Sequence, residues 1–241
     1  MRLDLYLAEK TLTESRSRAQ NLIKLGFVQI NGVTAEKASY DVREGDKVTV
    51  KEDYAASLGG IKLQKALEFA EITVAGKKCL DIGASNGGFC DVLLQNGAEN
   101  VIALDVGDCA LPERLRTDKR IIVMDKTNAR FLLPGDLPYA PDFITVDVSF
   151  ISLTQILPVV FSCLTPGGDA VCLIKPQFEC GKQSLSKKGI VLNKKTEQKT
   201  VEKIKDFCLT LGFSVRHLCP APHPFENKNQ EYLIILHKNI A

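Results

Sequence analysis

The sequence lacks the long apolar runs, the strong net charge and the secretory signal that would assign it to a membrane, polyanion-binding or secreted class of protein. Its 241 residues include no tryptophan and only three histidines, and the formal net charge is +2. No apolar run approaches the roughly 18 residues that a membrane-spanning helix needs, and the longest runs, such as 232–236, have the length of a strand. The charged, mixed N-terminus is unlike a secretory signal. We therefore expect a cytoplasmic protein with no membrane-spanning segment.

The cysteines give no pattern of a structural framework. There are eight of them, with no C-x-x-C pair and no accompanying histidine cluster. Several lie inside apolar runs such as 171–174, where cysteine behaves as a small hydrophobic residue. We expect reduced thiols, with neither a disulfide framework nor a metal site. The small net charge does not indicate a polyanion partner, so any nucleic-acid contact must be local.

The segment 79–89 carries the clearest signal of a ligand. The apolar strand Cys79–Ile82 leads into a glycine-rich turn at 83–88, and a second strand at 101–104 ends at Asp105, an acid placed to hold a ribose diol. Glycine lacks the Cβ that would block a close approach to a ligand. The pattern D-x-G-x-x-x-G-G is wider than the G-x-G-x-x-G of pyrophosphate-binding loops. It favours S-adenosylmethionine (SAM), while a dinucleotide-dependent dehydrogenase and a purely structural turn stay open.

The chain is predicted to consist of a small domain, a linker and a larger domain. Residues 1–51 contain two helices and short strands around the hairpin signal Asn31-Gly32, which predicts a small α+β domain. Residues 52–60 are predicted to be a linker. Residues 61–241 alternate between strand and helix, which predicts a mostly parallel, Rossmann-like α/β sheet covered on both faces.

Seven strands are predicted in the larger domain, near 78–82, 100–105, 120–124, 142–147, 170–175, 213–218 and 231–237. Its helices are predicted near 61–70, 88–96, 151–163 and 194–211, and the second helix of the small domain near 16–25 with Ser15 as its N-cap. No helix separates the last two strands, so we expect them to pair antiparallel. Seven strands that end in such a pair are typical of class I SAM methyltransferases.

Four ionisable residues lie at the ends of these elements, where open α/β sheets place their active sites. Asp147 and Lys175 end the fourth and fifth strands. Glu231 begins the last strand, and Lys62 opens the helix after Gly59-Gly60. Methyl transfer to a hydroxyl is helped by a base, and a lysine can act as one when a second ammonium lowers its pKa.

The resulting hypothesis gives each of the four a role. Lys175 is the base or orienting amine, and Lys62 supplies the neighbouring positive charge. Asp147 and Glu231 hold the two lysines and the sugar. The alternative is that each lysine after an apolar run is an ordinary strand end that reaches water.

Positive charge is concentrated in two places. The segment 182–205 holds eight lysines against two glutamates. It is either a solvated helix face or a phosphate-contacting surface beside the active site. In the small domain, Arg16, Arg18 and Lys24 share one predicted helix. Residues 1–50 have eight basic and seven acidic side chains, so an RNA contact there depends on placement and not on excess charge.

Several motifs in both parts of the chain occur together in one known family. They are Arg2-Leu3-Asp4, Ser15-Arg16-Ser17-Arg18-Ala19, Gly26-Phe27-Val28, Asp81-Ile82-Gly83-Ala84-Ser85-Asn86-Gly87-Gly88-Phe89, Lys126-Thr127-Asn128-Ala129-Arg130, Asp147-Val148-Ser149-Phe150-Ile151-Ser152-Leu153 and Lys175-Pro176-Gln177-Phe178-Glu179. Residues 2–50 resemble the small RNA-binding module shared by a small-subunit ribosomal protein, pseudouridine synthases and tyrosyl-tRNA synthetases, which implies a small N-terminal α+β RNA-binding domain over residues 1–51. The remainder resembles FtsJ-type ribose 2′-O-methyltransferases, and the combination resembles the TlyA family.

The resemblance implies SAM-dependent 2′-O-methylation of a cytidine ribose in ribosomal RNA, free or within a ribosomal subunit, without a metal. It implies a catalytic tetrad of Lys62, Asp147, Lys175 and Glu231. Cofactor binding is expected at Asp81, Gly83, Ala84, Ser85, Asn86, Gly87, Gly88, Phe89, Asp105, Val106, Asp125, Lys126 and Asp147. RNA binding is expected at Arg2, Arg16, Arg18, Lys24, Lys182, Lys187 and Lys188.

Two other functions stay open, a membrane-lytic haemolysin and an RNA-binding ribosome assembly factor without catalysis. The shorter form of the family, without a helix beyond the last strand, is associated with large-subunit (23S) RNA alone. This chain ends ten residues after Glu231, so 23S RNA is the expected substrate. One departure is Ser57-Leu58-Gly59-Gly60, where the family commonly has Ser-Arg-Gly-Gly, and it removes an expected RNA contact. The oligomeric state is not indicated.

Overall fold

The structure of the protein is a computed structural model that describes residues 1–13, 16–24, 26–50, 58–222 and 228–240. The chain divides into two compact units, Met1–Leu58 and Gly59–Ala241. The predicted N-cap Ser15 and the larger part of the predicted linker, 52–57, lie outside the described residues. The last three residues of that linker, 58–60, belong to a helix.

The first unit is a small α+β domain, as predicted. It contains helices α1 (Leu3–Glu9) and α2 (Arg16–Lys24) and strands β1 (Val28–Ile30), β2 (Val33–Thr34) and β3 (Val48–Val50). β1 pairs antiparallel with both of the other strands, so the sheet order is β2-β1-β3. Asn31 and Gly32 join β1 to β2 with φ values of 51° and 82°, the positive values that a tight hairpin turn requires.

A buried carboxylate connects the two helices of this unit. The Asp4 side chain on α1 is fully buried and accepts hydrogen bonds from Arg2 Nε at 3.0 Å, Arg16 Nε at 2.9 Å and Gln20 Nε2 at 2.7 Å. Since Arg16 and Gln20 lie on α2, two of these bonds cross between the helices. The Arg2 guanidinium, with Gln20 and Arg16, holds the pKa of Asp4 well below its usual value, because their hydrogen bonds outweigh the cost of burial.

The second unit is an α/β domain built around a seven-stranded sheet. Its strands are β4 (Lys78–Ile82), β5 (Asn100–Leu104), β6 (Ile121–Met124), β7 (Phe143–Val146), β8 (Asp169–Ile174), β9 (Phe213–Pro220) and β10 (Tyr232–Lys238). Its helices are α3 (Leu58–Phe69), α4 (Gly88–Gln95), α5 (Glu113–Arg116), α6 (Leu157–Cys163), α7 (Pro176–Glu179) and α8 (Lys194–Thr210). The sheet order β6-β5-β4-β7-β8-β10-β9 confirms the predicted Rossmann-like fold.

The strand pairing places a crevice at one edge of this sheet. β4, β5, β6, β7 and β8 pair in parallel, whereas β10 pairs antiparallel with both β8 and β9, as predicted for the last two strands. From β4 the chain passes to β5 and β6 on one side and then returns to β7 on the other. The strand order therefore reverses at β4, and ligands bind at such a switch point beyond the carboxyl ends of the strands.

The prediction that Lys62 opens its helix was wrong. α3 begins at Leu58, so Lys62 lies in its second turn and the preceding glycines are helical. A Cβ added at Gly60 would lie 3.0 Å from the Gly88 carbonyl oxygen and 3.1 Å from the Val92 side chain. The absence of a side chain at Gly60 therefore lets α3 approach α4 closely. Its role is in helix packing and not in the flexibility of a linker.

The helix predicted over 151–163 is shorter than expected. A 3₁₀ turn spans Leu153–Gln155, and α6 begins only at Leu157. Pro158 lies in the first turn of α6, where its missing N–H costs no helical hydrogen bond. The sequence also missed α5 and α7, because four residues are too few to show a helical period.

The Asp4→Asn substitution tests the interhelical network of the first unit. We expect the free energy of opening of α1 and α2 to fall by about 2 kcal/mol at neutral pH, because the guanidinium groups lose a charged acceptor. Hydrogen–deuterium exchange of peptides from the two helices measures this in the full-length protein. The pKa of Asp4 is lower in the folded state than in the unfolded state. The contribution of Asp4 to folding stability is therefore complete above the usual aspartate pKa, and it is lost as the pH falls from there toward the folded-state pKa.

The matched control is Asp41→Asn in the same unit. Asp41 pairs with the Met1 amino group at 2.5 Å, but its side chain is 83% exposed. Exposed ion pairs contribute little, so helix protection should hardly change. Equal loss of protection in the two variants would contradict the role of Asp4.

Candidate active site

A cavity of about 440 Å³ opens at the switch point of the seven-stranded sheet. This volume is within the range of small-molecule sites. Residues from the loops after β4, β5, β6 and β7 line it. Among them are five that the sequence predicts to bind the cofactor, namely Gly83, Ser85, Asp105, Val106 and Asp147.

Several other residues line the cavity without having been assigned a role from the sequence. Thr127, Asn128 and Arg130 follow β6, and Ser149 and Phe150 follow β7. All five lie within motifs that carry the family resemblance. That membership was the available signal, because no pattern of residue types marks them as ligand-binding.

Gly83 lies where two of these loops meet. Its φ is +86°, and a Cβ at this position would lie 2.4 Å from the backbone carbonyl oxygen of Asp147. No side chain fits at that distance, so glycine is what lets the loop after β4 lie against the loop after β7. The N–H groups of Gly83 and Ala84 donate to the Leu104 carbonyl at 2.8 and 3.0 Å, which ties the same loop to β5.

Asp105 follows β5 and orients the glycine loop. One of its carboxylate oxygens accepts a hydrogen bond from the Ser85 N–H at 2.9 Å, and the other accepts one from the Gly107 N–H at 2.9 Å. Each oxygen retains a second lone pair that a ligand hydroxyl could use. The contact with a cofactor ribose stays a prediction, and the position of Asp105 on the cavity wall is compatible with it.

Asp81 lies beneath the loop and not on the cavity wall. Its side chain is 1% exposed, and its carboxylate accepts hydrogen bonds from Thr145 Oγ1 on β7 at 2.7 Å and Cys90 Sγ on α4 at 3.1 Å. Burial raises the pKa of this carboxyl to about 7, because loss of hydration penalises the charged form. Its contact with SAM stays a prediction, and its bonds favour a supporting role below the loop.

The remaining predicted cofactor residues lie outside the cavity wall, and two of them have polar protein partners. Asp125 accepts a hydrogen bond from the Cys109 N–H at 2.6 Å, and Lys126 lies 3.3 Å from the Asp108 carboxylate. Gly87 precedes α4, where a Cβ would lie 2.7 Å from two leucine side chains. The cofactor contacts of these residues and of Ala84, Asn86, Gly88 and Phe89 stay predictions.

The four predicted catalytic residues form two ion pairs. Lys175 Nζ lies 2.6 Å from Asp147 Oδ1, and Lys62 Nζ lies 2.5 Å from Glu231 Oε2. Between 12% and 21% of each side chain is exposed, so all four are shielded but reachable.

The strand register explains why the two pairs lie together. β7 and β8 are parallel neighbours, so Asp147 and Lys175 follow adjacent carboxyl ends. β10 runs antiparallel to β8 with Tyr232 opposite Ile174, which places Glu231 beside Lys175 at the same edge. Lys62 then reaches Glu231 from α3.

A second carboxylate fastens the loops that carry this site. Glu179 on α7 accepts hydrogen bonds from Ser152 Oγ at 2.5 Å and from the Leu153 N–H at 2.7 Å. Burial raises the pKa of Glu179, and these two bonds oppose the rise. The bonds join the loop after β8 to the loop after β7, which together carry Lys175 and Asp147.

The predicted RNA-binding residues of the first unit lie on and before its helices. Arg2 and Arg16 are held by Asp4 and keep 45% and 50% of their side chains exposed. Lys24 ends α2 and is exposed. Arg18 is also on α2, but its side chain lies outside the described residues.

The predicted RNA-binding lysines of the second unit lie between α7 and α8. Lys182, Lys187 and Lys188 are all exposed. The last two occupy a turn that is closed by an antiparallel bridge between Leu185 and Val191. The turn therefore presents two adjacent ammonium groups on a folded segment.

Asn229 fastens this turn to the active-site edge. Its Oδ1 accepts a hydrogen bond from the Val191 N–H at 2.8 Å, and its Nδ2 donates to the Gly189 carbonyl at 2.8 Å. Asn229 is two residues before Glu231. The lysine-bearing turn is thus held next to the segment that carries a predicted catalytic carboxylate.

Three further observations bear on the kind of site. Across the described ranges, no group of three or more histidine, cysteine, aspartate or glutamate side chains is arranged to hold a metal ion. The same part of the chain contains no helix both long enough and apolar enough to cross a membrane. The eight cysteines are free thiols.

The Gly83→Ala substitution tests the contact between the two loops. A methyl group there would meet the Asp147 carbonyl oxygen and would also force alanine into a left-handed backbone. We expect a lower melting temperature and at least about a tenfold loss of SAM affinity, equivalent to roughly 1.4 kcal/mol, by calorimetry.

Gly76→Ala is the matched control in the same unit. Gly76 has a φ of +70°, but a Cβ there would meet nothing within 4 Å. Like Gly83→Ala, this variant places an alanine in a left-handed backbone conformation, but its methyl group contacts no other atom. Its SAM affinity should therefore equal that of the wild type. Equal losses of SAM affinity in both variants would show that the loop contact is not what matters.

Comparison with known proteins agrees with this geometry. A family model described as FtsJ-like methyltransferase matches residues 56–238, and one described as the S4 domain matches residues 1–48. YqxC of Bacillus subtilis, a proposed rRNA methyltransferase, is 41% identical over 98% of this chain and 85% of its own length. The 16S/23S rRNA (cytidine-2′-O)-methyltransferase TlyA of Mycobacterium tuberculosis is 39% identical over 98% of this chain and 89% of its own.

One solved structure matches almost the whole chain. A protein from Streptococcus thermophilus, proposed to be a hemolysin, superposes with a TM-score of 0.75 at 38% identity, covering 99% of this chain and 88% of its own. The two family models, the nearly full-length alignments and the strand order all indicate an S4 domain followed by an FtsJ-like methyltransferase domain. The chain therefore belongs to the FtsJ-like methyltransferases and, with an S4 domain ahead of the catalytic domain, to the TlyA family.

Proposed function

We propose that this protein transfers the methyl group of SAM to the 2′-hydroxyl of a cytidine ribose in ribosomal RNA, in the cytoplasm where ribosomes are found. The observation that carries the proposal is the ion pair between Lys175 and Asp147. Asp147 lines the cofactor cavity, so the amine lies at the edge of the space that the methyl donor would fill.

The cavity fits the chemistry of SAM. Asp105 offers carboxylate oxygens for a ribose diol, and the glycine loop offers backbone close enough to pack against a ligand. Ile82, Val148 and Ile156 add apolar wall on which a purine ring can lie. When bound, SAM supplies an electrophilic methyl group on a positively charged sulfur.

The residues of the two ion pairs then have distinct tasks. A ribose hydroxyl is a weak acid, so Lys175, in its neutral form, receives the 2′-hydroxyl proton as the oxygen forms its bond to the methyl carbon. Asp147 holds the amine at the cavity edge. Lys62 and Glu231 flank it and bind the sugar, since their paired groups offer both donors and acceptors to ribose oxygens.

An aromatic pair at the cavity mouth suits a nucleotide substrate. The Phe150 ring is 89% exposed, and its centroid lies 4.9 Å from that of Phe178. Phe150 also has a φ of 64°, a strained backbone that keeps the ring outside the core. Exposed aromatic faces stack with unpaired bases, which is how single-stranded RNA is commonly held.

The basic groups outside the cavity support RNA as the partner. Arg2 and Arg16 present half-exposed guanidinium groups in the S4 domain, and the turn with Lys187 and Lys188 presents two ammonium groups beside the active site. Phosphate contacts of this kind position a nucleic acid without reading its sequence. They support the substrate named for the mycobacterial relative.

The Lys175→Met substitution tests the catalytic assignment. With labelled SAM and ribosomal RNA or subunits as substrates, we expect wild-type protein to methylate a cytidine 2′-oxygen, with the 16S and 23S molecules assayed side by side. The variant should lose at least about 100-fold in kcat, because a positioned base contributes that much or more. SAM binding, measured by calorimetry, should persist.

Lys65→Met is the control for removing a lysine near this site. Lys65 lies one turn after Lys62 on α3, pairs with Glu68 and is 62% exposed. This variant should keep wild-type kcat. Wild-type protein that binds SAM yet methylates no RNA would favour the assembly factor, and an unchanged kcat in Lys175→Met would refute the mechanism.

A paired substitution, Lys187→Gln with Lys188→Gln, tests the RNA-facing turn. We expect KM for RNA to rise several-fold with kcat unchanged, because phosphate contacts contribute to binding and not to the chemical step. The slope of log affinity against log salt concentration should fall by about 2 when both contacts are lost. Lys119→Gln, an exposed lysine before β6, is the control. An unchanged salt slope would remove the turn from the RNA-binding surface.

A further inference from the structure

Ser149 is a hydroxyl residue of the cavity wall that contacts the proposed catalytic amine. Its Oγ accepts a hydrogen bond from Lys175 Nζ at 2.8 Å. The same nitrogen lies 2.6 Å from Asp147 Oδ1. Ser149 lines the cofactor cavity and is exposed, whereas the Lys175 side chain is 12% exposed. One short segment after β7 therefore supplies both a hydrogen-bond acceptor, Ser149, and a negative charge, Asp147, to one nitrogen.

The geometry of an amine gives this arrangement a consequence. A neutral lysine nitrogen bears its carbon, two hydrogens and one lone pair in tetrahedral directions. The hydrogen bond to Ser149 fixes the direction of one hydrogen. The negative charge of Asp147, 2.6 Å from the same nitrogen, repels the lone pair, so the lone pair takes the direction that remains. Without the serine, one hydrogen and the lone pair could exchange places by rotation about the Cε–Nζ bond.

We propose that Ser149 is a positioning residue for methyl transfer, which together with Asp147 aims the Lys175 lone pair at the ribose 2′-hydroxyl. This inference rests on the proposed function, in which Lys175 is the base. It adds a residue to the predicted tetrad, since Ser149 acts through Lys175 and not on the substrate.

The step balances with these groups alone. The bond from the 2′-oxygen to the methyl carbon forms as the bond from that carbon to sulfur breaks, and the sulfur keeps the electron pair and becomes neutral. The 2′-hydroxyl proton moves to Lys175 Nζ. The ammonium that results is stabilised by the negative charge of Asp147. It also donates to Ser149 more strongly than the neutral amine did, because charge-assisted hydrogen bonds are stronger.

The surrounding structure holds Ser149 in place. The next residue, Phe150, has a φ of 64°, and the loop continues to Ser152 and Leu153, which are fastened by Glu179. Backbone in a sparsely populated conformation persists only where its surroundings determine it. The hydroxyl is thus presented to Lys175 by a segment tied at both ends, by β7 on one side and by Glu179 on the other.

The test compares Ser149→Ala with Ser149→Thr in the full-length protein, with labelled SAM and ribosomal RNA. Alanine removes the acceptor, so we expect kcat to fall about tenfold, equivalent to roughly 1.4 kcal/mol. KM for RNA and the dissociation constant for SAM should stay within about twofold of wild type, because the lone-pair direction matters only during transfer. Threonine keeps the hydroxyl and should restore most of kcat.

Ser162→Ala is the matched control. Ser162 lies on α6, and its hydroxyl donates to the Val159 carbonyl at 2.9 Å, away from Lys175. It should keep wild-type kcat. Wild-type kcat in Ser149→Ala, or a changed KM with kcat intact, would overturn the positioning role, as would failure of threonine to restore the rate. Absence of methyl transfer by wild-type protein would instead overturn the proposed function, and the inference with it.

Discussion

The contact between Gly83 and the Asp147 carbonyl is the constraint on which the rest of the site depends. β4 and β7 are parallel neighbours with Ile82 opposite Val146, so the next residue of each strand must turn outward at the same place. The space between the two turns admits hydrogen and nothing larger. Since Asp147 pairs with Lys175, the closeness of the two backbones also sets where the amine lies relative to the cavity.

Strain and charge are concentrated around that contact. Ser85, Lys126 and Phe150 have positive φ values, and each lies in a loop after β4, β6 or β7. Such conformations cost free energy and persist where the surrounding structure determines them. The buried carboxylate of Asp81 has a raised pKa directly below the glycine loop, and desolvation outweighs its two hydrogen bonds there. The domain therefore tolerates these unfavourable contributions to its folding free energy, and its loops stay in one arrangement.

The two groups of basic residues are held by different means. Arg2 and Arg16 share a buried acceptor, Asp4, so part of each guanidinium is committed to the fold and the rest stays accessible. Lys187 and Lys188 lie on a turn whose backbone is bonded to Asn229, so the ammonium groups themselves are not committed. The two arginines therefore present planar guanidinium groups in a fixed orientation, whereas the two lysines present point charges at the ends of long, flexible side chains.

The sequence by itself determined the two-domain organisation and the seven-stranded sheet with its final antiparallel pair. It also singled out four ionisable residues, whose catalytic role stays a prediction. These follow from local periodicity, turn chemistry and the rule that active sites lie at strand ends. Only the tertiary structure decided which lysine pairs with which carboxylate, that Asp81 lies below the loop, and that Ser149 reaches Lys175. It also revealed that Gly60, which was predicted to belong to a linker, lies in α3 and allows that helix to pack closely against α4. Such contacts join residues far apart in the chain, and their geometry depends on strand register and loop closure, which no local pattern encodes.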